Sequence, residues 1–144
     1  MSDLKRFKDA QAYSYNAALQ EIRKGRKRSH WMWYIFPQIQ GLGQSAISRR
    51  YAIADLQEAK EYLQDEVLGS RLEEISRAAL ELETNDPLEV FGYPDNLKLR
   101  SSMTLFEAAD PDNELFGKVL DKYFNGDRDT LTLNILAKQA EGIQ

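Results

Sequence analysis

The chain has 144 residues, 42% hydrophobic and 29% charged, a globular balance that argues against disorder and suits one domain spanning 1–144. With no cysteine and a single histidine, His30, it offers no disulfide, no thiolate nucleophile, no cysteine–zinc site and no histidine-rich metal centre. The net charge of −4 hides an asymmetry: residues 1–60 carry 11 Lys/Arg and 5 Asp/Glu, whereas residues 61–144 carry 8 and 18. Either the two halves complement each other inside one fold, or the basic half faces an anionic partner.

Residues 3–24 open the chain as an amphipathic helix, with Leu4, Phe7, Tyr15, Leu19 and Ile22 on one stripe. Charges at Asp3, Lys5, Arg6, Lys8 and Asp9 leave no apolar core for a signal peptide. Gly25 is placed to end the helix. Around it stands the densest basic block, Arg23, Lys24, Arg26, Lys27 and Arg28, followed at once by His30, Trp31, Trp33, Tyr34 and Phe36. This apolar run, ending at Pro37, is far shorter than the roughly 20 residues that span a bilayer. A soluble cytoplasmic protein with no membrane segment is the expectation.

If the aromatic run is helical, Trp31, Tyr34 and Ile35 share a face while Trp33, Phe36 and Pro37 point elsewhere, so some rings line a cleft or a surface groove. The polar loop after it contains Gln38, Gln40, Gly41, Gly43 and Gln44. It leads to Ser45, a cap for a short helix through Arg49, Tyr51 and Ile53. GLGQS at 41–45 has neither the lysine nor the spacing of a phosphate loop or a dinucleotide fingerprint, and no cofactor is expected.

Further helices are predicted over 55–64, capped by Asp55, over 68–83, from Asp86-Pro87 to Gly92, over 95–108, from Asp112 or Asn113 to Phe124, and from Asp129 or Thr130 onward. No segment alternates with period two, so the predicted fold is all-α, a compact irregular bundle of about seven or eight short helices. The acids Asp110, Asp112 and Glu114 read as a helix start rather than a calcium loop, and no metal is expected.

Several blocks together carry a resemblance: RFKDAQ (6–11), GRKRSHWMWYIFPQIQGLGQS (25–45), FGYPDNLKLRSSMTLF (91–106) and GDRDTLTLNIL (126–136). Through them the chain resembles, nearly end to end, a mostly bacterial family of unknown function numbered eighteen-ten and sometimes labelled calpastatin-like. The resemblance implies a compact all-helical fold and implies no reaction. The calpastatin label conflicts with the apolar stripes and 10% aromatic content, because calpastatin inhibitory regions are disordered before they bind.

The candidate site joins the 29–45 loop to the 95–106 helix in one cleft for a small anionic, nucleotide-like ligand. In this reading Trp31 or Trp33 stacks on it, Lys98 and Arg100 meet its charge, and Gln38, Ser45, Ser101, Ser102 and Thr104 orient it. His30 is the candidate proton-transfer group, with hydrolysis or group transfer as the reaction class. Each block also has a plain structural role open to it: a wedged imidazole, a capped turn, an Asp95–Lys98 helix pair. Two alternatives stand beside the cleft. One is single-stranded nucleic-acid binding through residues 23–36, using Arg23, Lys24, Arg26, Lys27 and Arg28. The other is a protein-interaction module without catalysis.

Overall fold

The computed structural model describes residues 3–142. Among these residues the chain forms nine helices and no strand. They are α1 (Lys5–Arg23), α2 (Met32–Ile35), α3 (Ala46–Arg50), α4 (Leu56–Gln64), α5 (Glu66–Leu80), α6 (Pro87–Phe91), α7 (Asp95–Ala109), α8 (Glu114–Phe124) and α9 (Thr130–Ala140). The all-α expectation is met, with one helix more than foreseen. The extra one is α2, a single turn inside the aromatic run. Four residues nucleate no helix alone, so this turn exists only through packing.

Helix ends obey local chemistry. Ser45, Asp55, Asn113 and Asp129 each accept a backbone N–H of the turn they open. Asp65 caps α5 by accepting from Val67 and Leu68, so that helix begins at Glu66 rather than at Leu68. The same residue leaves α4 with extended backbone (ψ 126°) and separates two helices that would otherwise run on. At this joint Gly69 sits so close that an added Cβ would lie 2.1 Å from the Leu63 carbonyl oxygen. Only glycine fits there.

Helix α7 is the central element. Nine of its fifteen residues are buried, and α4, α6, α8 and α9 all pack around it. Such a helix must be apolar or internally satisfied on nearly every side. Rings from four helices meet in sequence across it: Phe7 on Tyr62 at 5.2 Å, Tyr62 on Phe106 at 5.3 Å, and Phe106 on Phe116 at 6.0 Å. Gln11, buried in α1, donates to the Tyr34 carbonyl (2.8 Å) and to the Tyr62 hydroxyl (2.9 Å), which moors the aromatic segment to the bundle. An isolated parallel bridge between Ile39 and Ile53 closes the polar loop.

The block at 100–104 serves the fold at the start of α9. The Asp129 carboxylate accepts from the Ser101 hydroxyl (3.1 Å), the Thr132 hydroxyl (2.6 Å) and the Thr132 backbone N–H (3.1 Å). The Asp129 N–H in turn donates to the Thr104 hydroxyl at 2.9 Å. Removing this buried acceptor strands the Thr132 hydroxyl and a helix cap at once, while Ser101 keeps the Leu97 carbonyl at 3.2 Å. Asp129→Ala is therefore expected to lower stability by about 2–3 kcal/mol in urea unfolding. Thr130→Ala, one residue on and exposed, is expected to stay within about 0.5 kcal/mol of the parent.

Candidate functional site

Helix α1 ends in a left-handed turn at Gly25 (φ +85°), and the chain doubles back past its own last turn. Glu21 organises the returning segment. Its carboxylate accepts the Arg28 N–H (2.7 Å), the Ser29 N–H (2.9 Å), the Ser29 hydroxyl (2.7 Å) and the Trp31 indole N–H (2.9 Å). Burial opposes ionisation here, but the four donors outweigh it and bring the carboxyl from its ordinary 4.5 down to about 2. The Lys27 N–H donates to the Val90 carbonyl at 2.7 Å, which fastens the same loop to α6.

With the loop held, Lys27 and Trp31 are delivered to the first turn of α7. There Asp95 stands between two ammonium groups, Lys27 at 2.8 Å and Lys98 at 3.0 Å. Burial pushes the Asp95 carboxyl up, yet its hydrogen bonds and charge pairing with Lys27 and Lys98 prevail and hold it below its ordinary value. Each lysine also rests on a tryptophan: Lys27 Nζ lies 4.8 Å from the Trp31 ring centre, and Lys98 Nζ lies 4.5 Å from that of Trp33. The two tryptophans, two lysines and one carboxylate make a continuous chain of contacts.

This chain frames a half-open cavity of about 190 Å³. Its polar wall is Lys27, Lys98, Asp95 and, exposed at the mouth, His30. Met32, Tyr34 and Ile47 complete an apolar wall with the two indoles. Each indole already has a lysine ammonium over its ring. Trp31 is 2% exposed, and the Trp33 ring edge reaches so far over Gly43 that a Cβ there would lie 2.8 Å from it.

The structure thus brings His30, Trp31, Trp33 and Lys98 to one cavity and adds Lys27, which the sequence groups only with the basic block. The other candidates do not line it. Ser45 is the α3 cap, and Ser101 and Thr104 are engaged at the start of α9. The Arg100 guanidinium lies 3.9 Å from Asp129. Ser102 and Gln38 are buried, with the Ser102 hydroxyl and the Gln38 amide nitrogen lacking a hydrogen-bond partner among the described residues. The reason is that α7 is surrounded, so successive residues of 98–104 face different neighbours.

The basic block is also divided. Lys27 is drawn inward, its side chain only 7% exposed, and Arg23 shares a surface hollow with Glu73, Glu74 and Glu81. Lys24, Arg26 and Arg28 stay exposed, while the neighbouring rings that a single strand would stack on are covered or packed. Two residues of the site escape a reading of the sequence. Asp95 shows there only as a helix partner of Lys98. Glu21 does not stand out at all, although an acid in the last turn of a helix opposes the helix dipole and so signals another duty.

The chain is thus a small all-α protein with a lysine–carboxylate–lysine cavity at the start of α7. The chain belongs to the family described as "Protein of unknown function (DUF1810)", which matches residues 1–136. It is similar to a solved crystal structure, that of a conserved hypothetical protein from Mycobacterium tuberculosis. The two are 48% identical, the match covers 94% of this chain and 96% of that one, and the TM-score is 0.92. No curated protein matches the chain. Among the described residues no helix is long and apolar enough to cross a membrane, and no cluster of His, Asp or Glu could hold a metal ion.

The Glu21 clasp yields a measurable pH signature. Its folded-state carboxyl titrates at about 2 against 4.5 unfolded, so its stabilisation is complete above pH 4.5 and disappears as pH falls to about 2. Every partner is a donor, so glutamine would turn its own NH₂ towards one of them. Glu21→Gln is expected to cost about 1–2 kcal/mol near neutrality, after allowance for solvent screening at this partly exposed group. In urea unfolding the gap between variant and parent should close between pH 4.5 and 2, and a gap independent of pH would remove the carboxylate from its assigned place.

Proposed function

We propose that the protein binds a small organic anion in the cavity between residues 27–34 and the first turn of α7. The observation that carries this reading is the convergence of the Lys27 and Lys98 ammonium groups on one point, each held over an indole and both facing a space with an apolar wall. Lysine is normally a mobile surface charge that loses about 2 kcal/mol of rotamer freedom when fixed. Here that freedom is already lost before a ligand arrives, which is the condition for a pre-organised binding site.

Size narrows the ligand. Pockets for drug-sized molecules run from about 300 Å³ upward, and this cavity has about 190 Å³. It takes one ring or short chain bearing an anionic group, not a whole nucleotide. The indoles brace the lysines rather than stack on the ligand, and Met32, Tyr34 and Ile47 supply the apolar contact. His30, at the mouth, is the group in place to move a proton if the bound molecule is turned over.

The chain's two tryptophans both line the cavity, so intrinsic emission reports occupancy directly. Benzoate is expected to change that emission saturably. At about 100 times its dissociation constant it should add about 2.7 kcal/mol of stability, which is roughly 8 °C in Tm for a chain of this size. Lys98→Gln should weaken binding at least tenfold, and His30→Ala should leave binding within about threefold. If benzoate and other aromatic monocarboxylates alter neither emission nor Tm, the anion reading fails.

A further inference from the structure

The cavity already contains a negative charge of its own, and its arithmetic specifies the ligand. Lys27 and Lys98 bring two positive charges and Asp95 brings one negative, so the lining is left one unit positive. Asp95 cannot easily leave. It is the first residue of α7, where the helix dipole favours a carboxylate, and both of its ammonium partners are themselves held, Lys27 over Trp31 and Lys98 over Trp33. We infer that the site selects monoanions over dianions: a ligand with a single negative charge, such as a carboxylate, sulfonate or phosphodiester, neutralises the lining, and a phosphate monoester overfills it.

This inference rests on the anion reading above and sharpens it. When a monoanion enters, the two lysines face two negative charges, one from the ligand and one from Asp95, and the group is neutral. A dianion brings a third negative charge into a space walled in part by two indoles, Met32 and Ile47. That charge would find no cation and would stand against the Asp95 carboxylate, so it would have to be desolvated without compensation. Discrimination of this kind is built by an unfavourable element facing the wrong ligand, and Asp95 is that element. The apolar wall then favours a monoanion with a flat or short apolar body over a hydrated inorganic one.

Benzenesulfonate and phenyl phosphate test this with one ring and two charges. Measured by tryptophan emission at pH 8, where phenyl phosphate is a dianion, benzenesulfonate should bind at least tenfold more tightly. Benzyl alcohol, with the same ring and no charge, should bind more weakly than benzenesulfonate. Asp95→Asn makes the lining two units positive and should reverse or abolish the preference by tightening phenyl phosphate. Lys98→Gln, which cancels the net charge, should weaken both anions together and guards against an Asp95 variant that fails to fold. The order of the two probes should be unchanged in Thr130→Ala, an exposed position that does not line the cavity.

The outcomes separate cleanly. No binding of either anion, or binding of benzyl alcohol equal to benzenesulfonate, overturns the anion reading and this inference with it. Binding of both anions with phenyl phosphate equal or tighter in the parent protein overturns the monoanion rule and leaves anion binding standing. A tenfold preference that Asp95→Asn does not reduce removes Asp95 as its source and overturns the inference as stated.

Discussion

The Glu21 carboxylate is the constraint on which the site depends. One side chain at the end of α1 satisfies two backbone donors, a hydroxyl and an indole N–H between Arg28 and Trp31. Without such an acceptor, residues 26–31 would be a basic loop whose charges repel and whose backbone turns to water. With it, the loop passes close against its own helix and sets Trp31 at a fixed depth. Lys27 then has an indole to lie on and a carboxylate to reach. The cavity is a consequence of an interaction outside it. Charge-assisted bonds are the strong ones among hydrogen bonds, and here four of them converge on one anion.

The second dependence runs through α7. A helix with nine of fifteen residues buried has few places where polar groups can stand without a partner. Asp95 and Lys98 occupy the first turn, where the loop arrives. Ser101 and Thr104, a turn further on, receive the Asp129 cap of α9. One helix thereby lines the proposed site at one end and closes the chain in its middle. The two duties use adjacent residues that point to different neighbours.

This arrangement explains what is legible in the sequence. Caps are local, so Ser45 and Asp55 can be read from spacing, Asn113 and Asp129 to within one residue, and the all-α architecture emerges from stripes of period 3.6. The 29–45 and 95–106 blocks are recognisable because aromatic and hydroxyl residues are conspicuous in such runs. What joins them is not. The Lys27–Asp95 pair spans 68 positions and the Ser101–Asp129 bond spans 28, and nothing in the intervening chain announces either. The hydroxyls of 101–104 are too costly for an idle helix, but Ser101 and Thr104 find their partner in Asp129, another segment of the chain. Tryptophan faces mislead for a related reason: from sequence a ring is a surface to stack on, and only the fold shows that an ammonium already lies there.

The charge asymmetry between the halves takes on a physical meaning in the same contacts. Lys8 pairs with Asp65 at 2.7 Å and Lys27 with Asp95 at 2.8 Å, each a cation of the basic half meeting an acid of the other. A half-exposed pair such as the first contributes modestly, because water and salt screen it. The second is different, since Lys27 is almost wholly buried and its partner is shared with Lys98. A buried cation left alone costs far more than its pairing returns, so Lys27 needs Asp95 for the empty cavity to be stable. Yet with two lysines on one carboxylate, the pairing stops one charge short of balance. The lining of the cavity is therefore left one unit positive, and that surplus is the electrostatic ground of the proposed anion binding.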